Sequence, residues 1–245
     1  MEPLTLLFVI IVGLVAGFMA ALGGGSGMLI TSLLMIIGYP ANMAVATNKI
    51  GTLGMRLTAI PKFYKHKAID VKLGLKTIPL AIIGNFIGAS ILVEIDREVF
   101  EKIISVVLIL LIPLILNKSG LKDIKVSNRS KVLGSITLFL SYIWTGLIGM
   151  GGGLIRHPIF TNFFGLDAKK AISTPKIAGM FGGLVSISVF TYHGLIDYKI
   201  GVLIALCMGV GGYFAAQTAI EKGNKFVKNF IAAAVVITVG KILFF

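Results

Sequence analysis

One pattern decides the fold of this chain, and it occurs twice: a glycine cluster followed by a Thr-X-Lys motif. The copies are Gly149-Met150-Gly151-Gly152-Gly153 with Thr174-Pro175-Lys176, and Gly23-Gly24-Gly25-Ser26-Gly27 with Thr47-Asn48-Lys49. A shift of 127 positions aligns Gly24 with Gly151 and Lys49 with Lys176. The same shift, without a gap, pairs identical residues across the two halves, among them Gly38 and Gly165, Phe63 and Phe190, His66 and His193, Asp70 and Asp197, and Glu94 and Glu221. The sequence therefore predicts two repeats, 1–117 and 132–245, joined by a linker, 118–131, in a single domain over 1–245.

The composition is that of an integral membrane protein. Of the 245 residues, 56% are hydrophobic and only 13% are charged, and the mean hydropathy is +0.97. A soluble domain this apolar would have no polar surface to expose to water, so we expect an all-α, multi-pass protein of the cell membrane, surrounded by lipid.

Net charge and cysteine content exclude several other classes. The net charge of +13 comes from basic residues clustered between apolar segments, as in loops that face an anionic cytoplasmic leaflet, so nucleic acid is not expected as a partner. The single cysteine, Cys207, cannot form an intrachain disulfide or a thiolate metal cluster. The sequence predicts no cofactor and no metal, and it leaves open whether the chain forms a homo-oligomer.

Each half contains five apolar segments, and the second of each five is short. These short segments are Met28–Ile37 and Leu154–Phe164, which as helices would span only ~16 Å, about half of the hydrocarbon core. Each follows a glycine cluster, where backbone freedom breaks the helix. Half-length helices at matching positions of two repeats point to a transport site.

Loop charges favour two inverted halves. The segment Pro61–Lys72 is basic and its counterpart is nearly neutral, whereas Glu94–Lys102 is acidic and its counterpart is basic. Corresponding loops with opposite bias lie on opposite sides of the membrane if each half crosses an odd number of times. The alternatives are re-entrant short segments, which would make the halves parallel, or loop charges that drifted after duplication.

The glycine clusters and the two repeated lysines are the candidate substrate site. Glycines can serve helix packing alone, but several together at a helix start leave backbone N–H groups that an anion would satisfy. A lysine facing lipid costs ~2.5–3.5 kcal/mol or more, so Lys49 and Lys176 need a cavity or a partner, unless they extend to the interface. The predicted substrate-binding residues are Gly23, Gly24, Gly25, Thr47, Asn48, Lys49, Gly151, Gly152, Gly153, Thr174 and Lys176.

Other polar residues have weaker signals. Thr47, Asn48 and Thr174 could orient an anion or could bond within their own helices. Arg56, Arg156 and His157 are candidates for coupling or gating. The repeated pairs His66-x-x-x-Asp70 and His193-x-x-x-Asp197 are expected to anchor loops. Every Asp and Glu lies at a segment end or in a loop, so neither a metal site nor catalytic residues are predicted, and an enzyme is not expected.

These motifs resemble the sulfite exporter TauE/SafE family of membrane transporters. The similarity rests on Gly146-Leu-Ile-Gly149-Met-Gly151-Gly152-Gly153 with Pro158, on Gly17-Phe-Met-Ala-Ala-Leu-Gly23-Gly24-Gly25, and on Ala44-x-x-Thr47 and Ala171-x-x-Thr174. It implies a permease for small sulfur-containing anions. The chain departs from the family pattern after these threonines, where Asn48-Lys49 and Pro175-Lys176 stand.

Together the repeats and the resemblance predict a secondary transporter that moves a small oxyanion by alternating access. An anion channel could use the same amide-lined constriction without alternating access. A membrane-embedded enzyme or an assembly subunit is a third reading, with less support.

Overall fold

The computed structural model describes residues 3–24, 26–95 and 128–244, and these residues are almost entirely helical, with no strand among them. The predicted segment Val99–Leu116 and residues 118–127 of the predicted linker lie outside the described residues. In chain order the helices are α1 (Pro3–Ala21), α2 (Ser26–Ile36), α3 (Ala41–Lys65), α4 (Val71–Lys76), α5 (Ile78–Glu94), α6 (Asn128–Leu147), α7 (Gly152–Asn162), α8 (Ala168–Ser173), α9 (Pro175–Tyr192) and α10 (Tyr198–Phe244).

Both predicted short segments form short helices. Helices α2 and α7 have 11 residues each, which gives a length of ~16 Å, too short to cross ~30 Å of hydrocarbon. Each starts within its glycine cluster, at Ser26 and at Gly152, two residues before the predicted start. A turn follows each short helix. Gly38 and Gly165, at equivalent positions of the two repeats, lie in these turns with positive φ angles of 98° and 70°.

Several helices are long and apolar enough to cross a membrane. In the described part of the chain these are Pro3–Ala21, Ala168–Tyr192 (α8 with α9) and Tyr198–Val227 within α10. The second of them is divided at Thr174 because Pro175 has no N–H to continue the hydrogen-bond ladder. Its counterpart α3 has Asn48 at the corresponding position and runs through unbroken. Helix α10 is interrupted at Gly223, with φ of 73° and ψ of −168°.

The two halves of the sequence pack into each other. Helix α10 packs mainly against α1 and α3, and α5 packs mainly against α6 and α9. In both cases a helix of the fourth segment contacts the first and third segments of the other half. The largest hydrophobic cluster likewise joins Val9 and Met55 to Ile204 and Met208. Each half therefore buries its apolar residues against the other half.

Corresponding aspartates cap the helices that begin the fourth segments. Asp70 Oδ1 accepts from the N–H of Leu73 at 2.9 Å, and Asp197 Oδ1 accepts from the N–H groups of Lys199 at 2.9 Å and Ile200 at 3.2 Å. These bonds satisfy backbone donors that a helix N-terminus leaves without partners. They agree with the predicted anchoring role of the repeated His-x-x-x-Asp pairs.

One cap has an additional partner. Tyr39, in the loop between α2 and α3, donates its hydroxyl to Asp197 Oδ2 at 2.7 Å. This bond holds the pKa of the Asp197 carboxyl below its usual value. Burial, together with the bond to Asp197, raises the pKa of Tyr39 to about 12. Position 166, the counterpart of Tyr39, is leucine, so the Asp70 cap has no equivalent tyrosine.

Close backbone contact between the halves generates a first prediction. A Cβ at Gly211 of α10 would overlap the carbonyl oxygen of Leu14 in α1. It would also lie 2.9 Å from the backbone nitrogen of Phe18. Because these atoms all belong to the backbone, the helices must separate to accommodate the new Cβ, at a cost of about 1–3 kcal/mol. We expect Gly211→Ala to lower the thermal unfolding temperature of the purified protein in detergent. The matched control is Val210→Leu, at a side chain that is 49% exposed; equal unfolding temperatures for the two variants would contradict the packing described.

The Tyr39–Asp197 bond generates a second prediction. A carboxyl whose pKa is lowered by folding stabilises the protein above its ordinary pKa of ~3.9, and this contribution is lost as the pH falls through the lowered value. Tyr39→Phe should therefore cost about 0.5–1.5 kcal/mol at neutral pH, and the difference from the wild type should shrink below about pH 4. Thermal unfolding over a pH series measures both effects. Tyr64→Phe, at a side chain that is 65% exposed, is the control, and a difference that persists unchanged at low pH would contradict the role of the carboxylate.

Candidate functional site

A polar cavity lies where the two halves meet. Its volume accessible to the centre of a water molecule is about 90 Å³, which is enough for several waters or a small solute. Residues from both halves line it: the two glycine clusters, α3, α5 and the end of α6, and the facing parts of α7 and α9. The structure thus brings together both lysines and the described glycines that the sequence analysis predicted as one site.

Four cationic side chains line this cavity. They are Lys49 and Arg56 from α3, Arg156 from α7 and Lys176 from α9. Lys49, Arg156 and Lys176 are only 5%, 6% and 6% exposed, so neither lysine extends to bulk water, and the alternative of interfacial lysines is not what the structure shows. Of the described residues that line the cavity, none is acidic. The positive charge is therefore not balanced by a carboxylate within this lining.

Backbone carbonyls and one hydroxyl hold three of these cations. Lys49 Nζ donates to the carbonyl oxygen of Thr145, and Lys176 Nζ donates to that of Ile172 at 2.6 Å. Arg156 Nη2 donates to Thr145 Oγ1 at 2.7 Å, and its guanidinium carbon lies 4.5 Å from the centroid of the Tyr142 ring. These bonds fix the positions of the groups, but neutral acceptors leave their charge in place.

The two glycine clusters differ in their free hydrogen-bonding capacity. In the first, the N–H of Gly23 donates to Ala20 O at 3.2 Å and that of Gly24 to Met19 O at 2.7 Å, while Ser26 donates to Gly24 O at 3.0 Å. Gly23 and Gly24 line the cavity, yet their N–H groups are already bonded within the chain. Gly27 also lines the cavity, and among the described residues no carbonyl accepts from its N–H. Gly25, also predicted as a ligand, lies outside the described residues.

The second cluster leaves a helix N-terminus open. Gly151, in the left-handed region with φ of 75°, is the N-cap of α7 and supplies no side-chain cap. In the described part of the chain, no carbonyl accepts from the N–H groups of Gly151, Gly152 or Gly153. All three residues line the cavity. Unpaired donors at the positive end of a helix are the usual protein site for an oxyanion.

The hydroxyls of Thr47 and Thr174, predicted as ligands, accept hydrogen bonds from the opposite half. Thr47 Oγ1 accepts from the N–H of Asp197 at 3.2 Å, and Thr174 Oγ1 accepts from the N–H of Asp70 at 3.0 Å. Thr47 and Thr174 are fully buried and do not line the cavity. Each hydroxyl joins one half to the capped helix start of the other, at equivalent positions. They connect the halves rather than face the space where a ligand would bind.

Two further candidates also lie off the cavity lining. Asn48 is fully buried, and within the described residues neither of its amide atoms has a hydrogen-bond partner. His157 follows Arg156 on α7 and is partly buried, but it does not line the cavity. The structure therefore assigns neither residue a contact with the cavity.

Sequence reasoning missed Thr145. It lies in the last turn of α6, and both its carbonyl and its hydroxyl hold cations of the cavity. Its repeat counterpart is Phe18, so the duplication gave no signal. The available signal was local: a hydroxyl in an apolar helix, four residues before Gly149.

Comparisons with known proteins place the chain among membrane transporters. It is 25% identical over 222 residues to a probable membrane transporter protein of Haemophilus influenzae, covering 90% of this chain and 87% of that protein. It is 22% identical to the probable membrane transporter protein YfcA of Escherichia coli, covering 99% and 91%, and 25% identical to the probable membrane transporter protein YdhB of Bacillus subtilis, covering 87% and 89%. No solved structure matches the chain. The family model described as "Sulfite exporter TauE/SafE" matches residues 9–242, and the chain therefore belongs to this family of membrane transporters.

Proposed function

We propose that this protein is a secondary transporter that moves a small sulfur-containing or related oxyanion across the cytoplasmic membrane. One observation carries the proposal: the open N-terminus of α7 and the cations Lys49, Arg156 and Lys176 share one cavity, whose described lining includes no acidic residue. The family supplies the class of anion, because its description names sulfite.

Electrostatics explains why an anion belongs there. Like charges that share a poorly solvated cavity repel one another far more than they would in bulk water. Taking such charges out of water is costly unless opposite charge and hydrogen bonds compensate them. An oxyanion supplies both, because its oxygens accept from Lys49, Lys176 and Arg156 while its charge offsets theirs.

The proposed binding mode is asymmetric. The N–H groups of Gly23 and Gly24 already have acceptors, so the anion would take most of its backbone hydrogen bonds from Gly151, Gly152 and Gly153, with Gly27 as a further donor from the first cluster. The first cluster adjoins the second in the wall of the cavity. Gly23 approaches Gly153 so closely that a Cβ at Gly153 would lie 2.8 Å from the carbonyl oxygen of Gly23.

Alternating access is the proposed mechanism, with the halves as inverted repeats that rock against each other. The opposite charge bias of corresponding loops supports inversion. The position of the hydroxyl bonds supports coupling, because Thr47 and Thr174 each stand two residues before a cavity lysine. A movement that changes the Thr47–Asp197 or Thr174–Asp70 contact would therefore also move Lys49 or Lys176.

A transport assay tests the site. We expect purified protein in proteoliposomes to show saturable sulfite flux. Lys49→Ala or Lys176→Ala should reduce that flux at subsaturating sulfite about tenfold or more, because each removes a charged hydrogen-bond donor. The measurement is the initial rate of sulfite entry at several concentrations, for the wild type and for both variants.

The control for this assay is Lys65→Ala. Lys65 is an exposed residue at the end of α3, so this variant removes a positive charge from the same helix outside the cavity, and its flux should match the wild type. Unchanged flux in both cavity variants would reject the site. Flux that rises without saturation, or single-channel current, would replace the transporter with an anion channel.

A further inference from the structure

Arg56 differs from the other cations of the cavity because no described residue accepts a hydrogen bond from its guanidinium. Lys49, Arg156 and Lys176 each donate a hydrogen bond to a backbone or side-chain oxygen. Within the described residues, the Arg56 guanidinium donates none, although it lines the same cavity. A guanidinium carries five N–H donors in a fixed fork, so its full donor set remains available to a ligand.

Two glycines of α9 make room for this guanidinium. A Cβ at Gly183 would lie 2.6 Å from Arg56 Nη1, and a Cβ at Gly179 would lie 3.2 Å from Nη2. The first of these distances is too short for a side chain to be present without displacing the arginine. The groups packed against Gly179 and Gly183 are therefore those of the Arg56 guanidinium.

The contact with Gly183 also locates Arg56 within the repeat. A shift of 127 positions maps Arg56 onto Gly183. If a two-fold axis relates the repeats, as in the proposed inverted arrangement, equivalent positions can contact each other only at that axis. Two arginines could not occupy that space together, so an arginine in one half and a glycine in the other leave a single guanidinium at the centre.

We propose that Arg56 is the specificity-determining residue of the site, pairing its guanidinium fork with two oxygens of the bound anion. The site then prefers anions with at least two terminal oxygens over monoatomic anions such as chloride. This inference rests on the proposed function above. Arginine, unlike lysine, presents two parallel N–H donors that match such a pair of oxygens.

The chain contains a reporter for binding experiments. Trp144 is the only tryptophan, and its indole Nε1 donates to the carbonyl oxygen of Met150 at 3.0 Å. Met150 belongs to the second glycine cluster and lines the cavity. The fluorescence of Trp144 can therefore be used to follow the binding of sulfite or chloride to the full-length protein in detergent. Isothermal titration calorimetry provides an independent measurement of the same Kd.

The first test compares Arg56→Lys with the wild type. The lysine keeps the positive charge but cannot form the paired hydrogen bonds. We expect the Kd for sulfite to rise about tenfold or more, while the Kd for chloride changes far less, so that the preference for sulfite over chloride falls. Lys65→Gln, which removes an exposed charge from the same helix, should leave both dissociation constants at the wild-type values.

The second test displaces the guanidinium without removing any charge. Gly183→Ala places a methyl group in the space of Nη1 and should weaken sulfite binding in the wild-type background. In the Arg56→Gln background the same substitution should have no further effect, because the group that it displaces is gone. A defect in helix packing would instead weaken binding in both backgrounds.

The outcomes separate this inference from the proposed function. If the wild type binds neither sulfite nor any other oxyanion, the proposed function fails. If the wild type binds sulfite and Arg56→Lys keeps both affinity and preference, Arg56 does not select the anion, although the transporter proposal stands. Should Arg56→Lys fail to fold, the Gly183→Ala variant decides alone, and unchanged sulfite affinity in that variant would overturn the inference.

Discussion

The structure depends on positive charge that is buried without a carboxylate beside it. Lys49, Arg156 and Lys176 are almost completely removed from the surface, and no acidic side chain joins them in the described lining of their cavity. Carbonyl groups at helix ends compensate part of this charge, because the C-terminal end of a helix leaves oxygens that can accept hydrogen bonds from an ammonium group. The open N-terminus of α7 adds further positive potential instead of relieving it. The anion proposed above would supply the negative charge that the described lining lacks.

The frame of the protein is nearly symmetric, whereas its site is not. Equivalent threonines accept from equivalent aspartate N–H groups in the opposite half, and helices of each half pack on those of the other. Within the cavity, however, Gly23 and Gly24 of the first cluster donate within the chain, whereas no described carbonyl accepts from Gly151, Gly152 or Gly153 of the second. Arg56 faces a glycine at its own equivalent position. Residues that the two repeats share therefore form the scaffold, and residues that differ between the repeats give the cavity its asymmetric set of hydrogen-bond donors.

Much of the fold could be predicted because its signals are local. The short helices α2 and α7 follow glycine clusters that are visible in the sequence, and Lys49 and Lys176 are charges in apolar runs, which indicates burial. The roles of Thr47 and Thr174 could not be predicted, because their partners are far away in sequence and a buried threonine can bond its own helix equally well. Thr145 was missed for a related reason: holding two cations requires a meeting of three segments that no periodicity shows. The hydrogen bonds of the Gly23 and Gly24 N–H groups depend on the backbone conformation at Gly23, with φ of 82°, which composition does not determine.

Under the proposed alternating-access mechanism, the hydroxyl bonds between the halves would couple the bound ligand to the motion of the halves. Thr47 and Lys49 belong to the same turn of α3, so the bond to Asp197 and the ammonium in the cavity move as one body. Thr174 and Lys176 flank Pro175 at the break between α8 and α9. Pro175 removes one hydrogen bond of the helix there and gives the chain a point at which it can bend. The Asp197 side has a further bond from Tyr39, whose counterpart is leucine. The Asp70 side has a different further bond, in which Ser173 donates its hydroxyl to the carbonyl oxygen of Ala68. Each contact between the halves is therefore reinforced by a group that the other half lacks, and a rocking motion of the halves would have to break two hydrogen bonds on either side.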